Sequence, residues 1–212
     1  MPYLWIVLSL LLVFAANGEP GSILDSEFVT THEASTIRSV VEHFYPPEQV
    51  LAPQAANATW YPNRFIAPVA SNEPWLTSAL QVVDGLVQML AEGGLGAERV
   101  FVLGFSQGGC LALEYAARHP RRYAGVIGLS AGLIENGDQP RVYSGSLAGT
   151  PVLLGCSDVD FHIPVTRVDR TASVLADLGA AVDKRIYPGM DHTINRDEIS
   201  AINALIAQVM AG

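Results

Sequence analysis

The stretch that decides the fold is Val100-Phe101-Val102-Leu103-Gly104-Phe105-Ser106-Gln107-Gly108-Gly109. An apolar run of strand type leads into the pattern G-x-S-x-G, and residues 106–118 then read as an amphipathic helix that Pro120 ends. A serine between a strand and a helix stands on a sharp turn, so its hydroxyl projects above the sheet. Side chains two residues to either side would meet neighbouring backbone, which explains glycine at 104 and 108. The same turn puts the Gln107 N–H at a helix N-terminus, where it can donate to an oxyanion. Ser106 is therefore a candidate nucleophile and Gln107 a candidate oxyanion donor. The competing reading is a phosphate-binding turn. It lacks the lysine of a P-loop, and no G-x-G-x-x-G is present.

Downstream of this stretch, strand and helix patterns alternate. Strands are expected at 99–103, 123–129, 151–155 and 181–187, with helices at 164–178 and 197–210. Upstream, residues 75–91 place Leu76, Leu80, Val83, Val87 and Leu90 on one helical face, and Gly93-Gly94 stops the run. Before that come a helix at 33–44, a short strand at 49–52, and a long loop at 53–74 that holds Trp60, Tyr61 and Phe65. Strands joined by crossover helices form a parallel sheet covered on both faces, with ligands at the carboxyl ends of the strands. The informative residues thus follow Leu103, Leu129, Leu154 and Tyr187.

Two of those places carry chemistry beside Ser106. After Leu154 comes Gly155-Cys156-Ser157-Asp158-Val159-Asp160-Phe161-His162-Ile163-Pro164. A carboxylate there would orient an imidazole and stabilise its charged form, and spacing leaves Asp158 and Asp160 both open. The other of the pair reads as a turn residue bonded to local backbone. After Tyr187 comes Pro188-Gly189-Met190-Asp191-His192, which offers His192 as general base; the order Ser, Asp, His fits such a fold. His162 reads as a loop histidine and His119 as a helix-end residue. No His, Cys and carboxylate set has zinc spacing, and no cofactor is implied.

Composition narrows the classes. Half of the 212 residues are apolar, enough for one domain with a sizeable core. The formal net charge of −9 repels phosphate backbones, so nucleic acid is excluded as a partner. Cys110 and Cys156 read as two buried thiols, or as one disulfide if the chain is exported. Residues 3–16 are almost wholly apolar and have three readings: a secretory signal or anchor, a core strand, or a chain start set in the wrong place. The expected organisation is an apolar segment at 1–18 and a single domain at 19–212. Membrane contact falls to residues 3–16 alone. The chain is secreted or membrane-associated if 1–18 is a signal or anchor, and cytoplasmic otherwise. Export would make Asn57-Ala58-Thr59 a glycosylation acceptor. Nothing in the sequence sets an oligomeric state.

Over residues 32–212 the chain resembles the phospholipase/carboxylesterase family of α/β-hydrolases, which includes acyl-protein thioesterases. The resemblance rests on L-A-P-Q-A at 51–55, T-W-Y-P at 59–62, N-E-P-W at 72–75 and G-F-S-Q-G-G at 104–109, followed by G-C-S-D-V-D-F-H-I-P at 155–164 and Y-P-G-M-D-H-T-I at 187–194. It implies an α/β-hydrolase fold and a serine carboxylesterase that cleaves small-molecule esters or acyl thioesters through an acyl-enzyme. It also implies Asp160 as the acid, four residues before the motif's proline, and a substrate pocket walled by Trp60, Tyr61 and Trp75. Where the family often has proline after that acid, this chain has Phe161.

One departure opens a second reading. The family carries an H-G-x-G-like turn that supplies another oxyanion donor, and Phe28-Val29-Thr30-Thr31 stand at that place. Residues 23–28 make a poor central strand. Either residues 3–14 supply that strand by another route, or the family's first strand and turn are missing. Loss of one oxyanion donor costs about 2.7–4 kcal/mol of barrier. On that reading the chain is a catalytically weak or inactive ligand-binding protein.

Overall fold

The computed structural model describes residues 10–15, 50–53, 55–137 and 141–211. The expected helix at 33–44 and the segment 28–31 lie outside the described residues. The elements are β1 (Leu10–Ala15), β2 (Val50–Leu51), α1 (Trp75–Glu92), β3 (Val100–Phe105), α2 (Ser106–Arg118), β4 (Gly125–Leu129), β5 (Pro151–Ser157), α3 (Val165–Asp177), β6 (Ala181–Tyr187) and α4 (Arg196–Met210). They form a sheet of order β2-β1-β3-β4-β5-β6. From β3 to β6 all neighbours are parallel, whereas β1 pairs antiparallel with both β2 and β3. Leu10 of the apolar start lies opposite Phe105, and Ala15 opposite Val100.

The side-chain period of two splits each central strand between two cores. Val100, Val102, Val126, Val152 and Leu154 face the core that holds the buried faces of α1, α2 and α3. Phe101, Leu103, Ile127, Leu129 and Leu153 face the one that receives Ala201, Ile202 and Ile206 of α4. Burial on both faces explains why β3 and β4 read as continuous apolar runs. β6 lies at the sheet edge, and its Asp183, Lys184 and Arg185 reach solvent there.

Helix α2 differs from the amphipathic helix expected. Residues 108–117 are all buried, because α2 packs under both the sheet and α1. The fully buried Glu114 is compensated by Arg118 Nε at 2.6 Å and Arg141 Nη1 at 2.5 Å, by the Tyr143 hydroxyl at 2.8 Å and by the Ile134 N–H at 3.1 Å.

The entry to α2 is closed by backbone alone. A Cβ on Gly104 would fall 2.3 Å from the Gly108 carbonyl group and 2.4 Å from the Gly109 nitrogen. A Cβ on Gly109 would fall 2.7 Å from Ala131 Cβ. Gly104→Ala is therefore expected to destabilise the protein by at least about 2 kcal/mol, since rigid backbone cannot yield to an added methyl. Urea unfolding of the variant measures this, and a loss below about 0.5 kcal/mol, the range of neutral surface changes, would refute the contact.

Candidate active site

Ser106 is the first residue of α2 and sits at φ +53°, in the left-handed region that a side chain enters at a cost of about 1–3 kcal/mol. The packed turn beneath it supports that strain. Its Oγ lies 2.9 Å from His192 Nε2, and His192 Nδ1 lies 2.6 Å from Asp160 Oδ2. Asp160 Oδ1 accepts the N–H groups of His162 at 2.8 Å and Ile163 at 3.0 Å. Burial pushes the Asp160 carboxyl up, but the His192 contact and these two N–H groups outweigh it and hold the group below its usual range. An ionised carboxylate only accepts, so Nδ1 carries the imidazole proton and donates to Asp160. Nε2 is left to accept from the serine hydroxyl. The rings of Phe105 and His162 lie 5.0 and 4.8 Å from that of His192 and confine it.

Of the two acids that spacing left open, Asp160 contacts the imidazole. Asp158 instead joins two loops. Its Oδ1 accepts the Gly189 N–H at 2.8 Å, and its own N–H donates to the Tyr187 carbonyl at 3.2 Å. The acid loop and the histidine loop are thereby tied at their roots.

The Gln107 side chain does work that the sequence did not disclose. Its Oε1 accepts the Trp60 N–H at 2.8 Å and the Thr59 hydroxyl at 3.3 Å, and its Nε2 donates to the Tyr61 carbonyl at 2.8 Å. The residue after the serine thus clamps the 59–61 loop. A cleft of about 460 Å³ opens between that loop, Ser106 and the 162–163 segment. Of the three aromatic residues expected to wall it, Tyr61 lines the cleft. Trp60 turns into the core, drawn in by the backbone clamp, and Trp75 is 55 % exposed on the outer side of the first turn of α1. Neither tryptophan is on the lining. His162, read as a loop histidine, and Arg64, which sequence reading passed over, both are. Only a fold that brings 57–65 against 162–163 reveals them.

Cys110 and Cys156 are free and buried, and burial pushes each thiol up to about 12, which keeps both protonated and unreactive. Among the described residues no group of His, Cys, Asp or Glu is arranged to hold a metal ion.

Residues 33–210 match the family model described as Phospholipase/Carboxylesterase. A crystal structure of a phospholipase/carboxylesterase from Dyadobacter fermentans is 40 % identical, covers 82 % of this chain and 84 % of that one, and superposes with a TM-score of 0.76. Acyl-protein thioesterase 1 of Gibberella zeae is 29 % identical over 57 % of this chain and 52 % of its own length. Lysophospholipase-like protein 1 of mouse is 28 % identical over 65 % of this chain and 58 % of its own. The chain spans about half the length of the curated relatives it matches.

Behind the site, Asn195 and Glu198 cap α4 reciprocally. Asn195 Oδ1 accepts the Glu198 N–H at 2.9 Å, and Glu198 Oε2 accepts the Asn195 N–H at 2.8 Å. This fixes the chain three residues after His192. Glu198 is fully buried over Gly155, where a Cβ would come within 2.1 Å of Oε1, and that Oε1 has no partner. Burial raises the carboxyl to about 7 from a usual value of 4.5, against the pull of the Asn195 N–H. The folded state therefore holds this proton more tightly than the unfolded chain. The resulting stability is full below about pH 4.5 and is lost as pH rises through about 7. Glu198→Gln is expected to flatten the fall of stability over that interval by up to about 3 kcal/mol, at ~1.4 kcal/mol per pH unit. Denaturant unfolding of both proteins from pH 4.5 to 7.5 checks this, and parallel curves would contradict it.

Proposed function

The chain belongs to the Phospholipase/Carboxylesterase family, and on that premise we propose that it is a serine hydrolase that cleaves carboxylic esters or thioesters through an acyl-enzyme on Ser106. It has the α/β-hydrolase fold, a mostly parallel sheet flanked by helices. The observation that carries the reading is the unbroken contact from Asp160 through His192 to Ser106, at 2.6 and 2.9 Å, with the serine opening on a cleft.

On this reading His192 Nε2 takes the Ser106 proton as Oγ attacks the acyl carbonyl, and Asp160 stabilises the imidazolium that forms. The negative charge gathers on the carbonyl oxygen, where the Gln107 N–H at the start of α2 donates to it. His192 then protonates the departing alcohol or thiol as the acyl–oxygen or acyl–sulfur bond breaks. Water, deprotonated by the same nitrogen, attacks the acyl-serine, and the imidazolium returns that proton to Ser106 Oγ as the acyl–Oγ bond breaks and the acid leaves. The strained φ of Ser106 and the packed α2 support this mechanism, because both hold the hydroxyl in place before substrate arrives.

Turnover of p-nitrophenyl butyrate is expected from the purified chain, falling at least about a thousandfold in Ser106→Ala and on the order of a thousand- to ten-thousandfold in Asp160→Asn. A fluorophosphonate should add one label that peptide mass spectrometry places on Ser106. Turnover that survives Ser106→Ala would overturn the mechanism. A wild-type protein with no Ser106-dependent turnover of any ester would favour the ligand-binding reading.

A further inference from the structure

The cleft beside Ser106 has an electrostatic character that points to a substrate class, an inference that rests on Ser106 acting as the nucleophile. Among the described residues Arg64 is the one permanently charged side chain on its lining, and no Asp or Glu lines it. This stands out in a chain of net charge −9. Several cations elsewhere are matched to acids: Glu114 takes Arg118 and Arg141, Glu135 takes Arg167 and Arg170, and Lys184 takes Asp169, whereas Arg122, away from the cleft, is held like Arg64 by carbonyls. Among the described residues no carboxylate pairs with Arg64.

Arg64 is instead fixed by neutral groups. Its Nη2 donates to the carbonyls of His162 at 2.9 Å and Phe161 at 3.3 Å. Its own carbonyl accepts Nδ2 of the fully buried Asn72 at 3.3 Å, and Asn72 Oδ1 accepts the neighbouring Asn63 N–H at 2.8 Å. Carbonyls orient a guanidinium without cancelling its charge, so the cation is held ready at the cleft. His162 lines the same wall. Burial, then the neighbouring His192 and Arg64, hold its imidazole below the usual range against the pull of Asp160, which favours the neutral form beside the arginine.

We propose that this cleft takes an ester or thioester bearing a second, anionic group, a carboxylate or a phosphate, and that Arg64 holds that group while Ser106 meets the acyl carbonyl. A planar guanidinium with N–H groups directed away from the anchoring carbonyls suits either anion. The anion could lie in the acid part of the ester or in the alcohol part. The two sources share one recognition chemistry and are separable by substrate.

Two matched pairs test this, with released acid titrated at constant pH: monoethyl glutarate against ethyl 5-oxohexanoate, and 1-butyrylglycerol 3-phosphate against 1-butyrylglycerol. For at least one pair, kcat/KM of the anion is expected to exceed that of its neutral partner by on the order of tenfold, carried by KM. Arg64→Gln should bring this ratio towards one, Arg64→Lys should keep part of it, and high salt should shrink it. An arginine that merely staples the 161–162 loop would lower both members of a pair together and leave the ratio standing. That result, or a ratio near one for both pairs in the wild-type protein, overturns the proposal. Calorimetric binding of both anionic esters to Ser106→Ala separates this inference from the hydrolase reading. Arg64-dependent binding without turnover by the wild type would keep the anion site and sink the hydrolase. Turnover of the neutral esters without anion preference would do the reverse.

Discussion

Everything at the site depends on the backbone contact between Gly104 at the end of β3 and Gly108 and Gly109 in the first turn of α2. There is no room for even a methyl group between them. This closeness lets the chain reverse from strand to helix in a single residue, and that residue, Ser106, must take a positive φ to do so. The strain would relax if α2 could shift. It cannot, because residues 108–117 are buried on every side and Gly109 also abuts Ala131. The buried ion pairs and hydrogen bonds of Glu114 lock the same helix to Ile134, Arg141 and Tyr143. A hydroxyl held by main chain and core rather than by its own rotamer is preorganised, and preorganisation is what a reacting group needs.

Asp160 and His192 come from two other strand ends, and their loops are stitched before they meet the serine. Asp158 binds the acid loop to Gly189, and Asp160 spends one oxygen on its own loop and the other on His192. A single buried carboxylate thus folds its own loop and orients the imidazole. The reciprocal cap of Asn195 and Glu198 ends the histidine loop at a fixed point. Each loop is short and is anchored at both ends, so the 2.6 and 2.9 Å contacts follow from the scaffold.

Much of this was legible in the sequence, for identifiable reasons. The central strands are buried on both faces, so they stand out as apolar runs, and α1 shows its buried face as a clean helical period. A glycine-flanked serine at a strand-to-helix junction allows few backbone solutions, which is why Ser106 could be singled out. Spacing could not choose between Asp158 and Asp160. Both lie on one turn, and what separates them is which loop each side chain faces. Resemblance to a family made that choice, and Asp160 lies against the imidazole. The aromatic residues were harder still. Aromatic type signals burial or binding but not direction, and the Gln107 clamp that turns Trp60 inward joins residues 47 positions apart. Residues 28–31, which stand where the family carries its H-G-x-G-like turn and lack that pattern, lie outside the described residues.

The distribution of charge around the cleft bears on the chemistry as well as on recognition. Asp160 is the acid nearest the reacting atoms, but it is buried and its charge is met by two backbone N–H groups and by His192. Its field at the cleft is therefore largely neutralised at source. His162 favours its neutral form, and both thiols are kept protonated. Among the described residues, what remains to set the potential at the cleft is the Arg64 guanidinium and the N-terminal end of α2, both positive. On the proposed mechanism the developing charge is negative and sits at the carbonyl oxygen. A wall without carboxylates favours that charge, whereas a wall like the paired acid and base surfaces of β6 would oppose or merely screen it. Under the two proposals, the same lack of acids on the described wall that would admit an anionic substrate would also lower the energy of the oxyanion. Substrate choice and transition-state stabilisation then draw on one feature of the 57–65 loop, its lack of carboxylates.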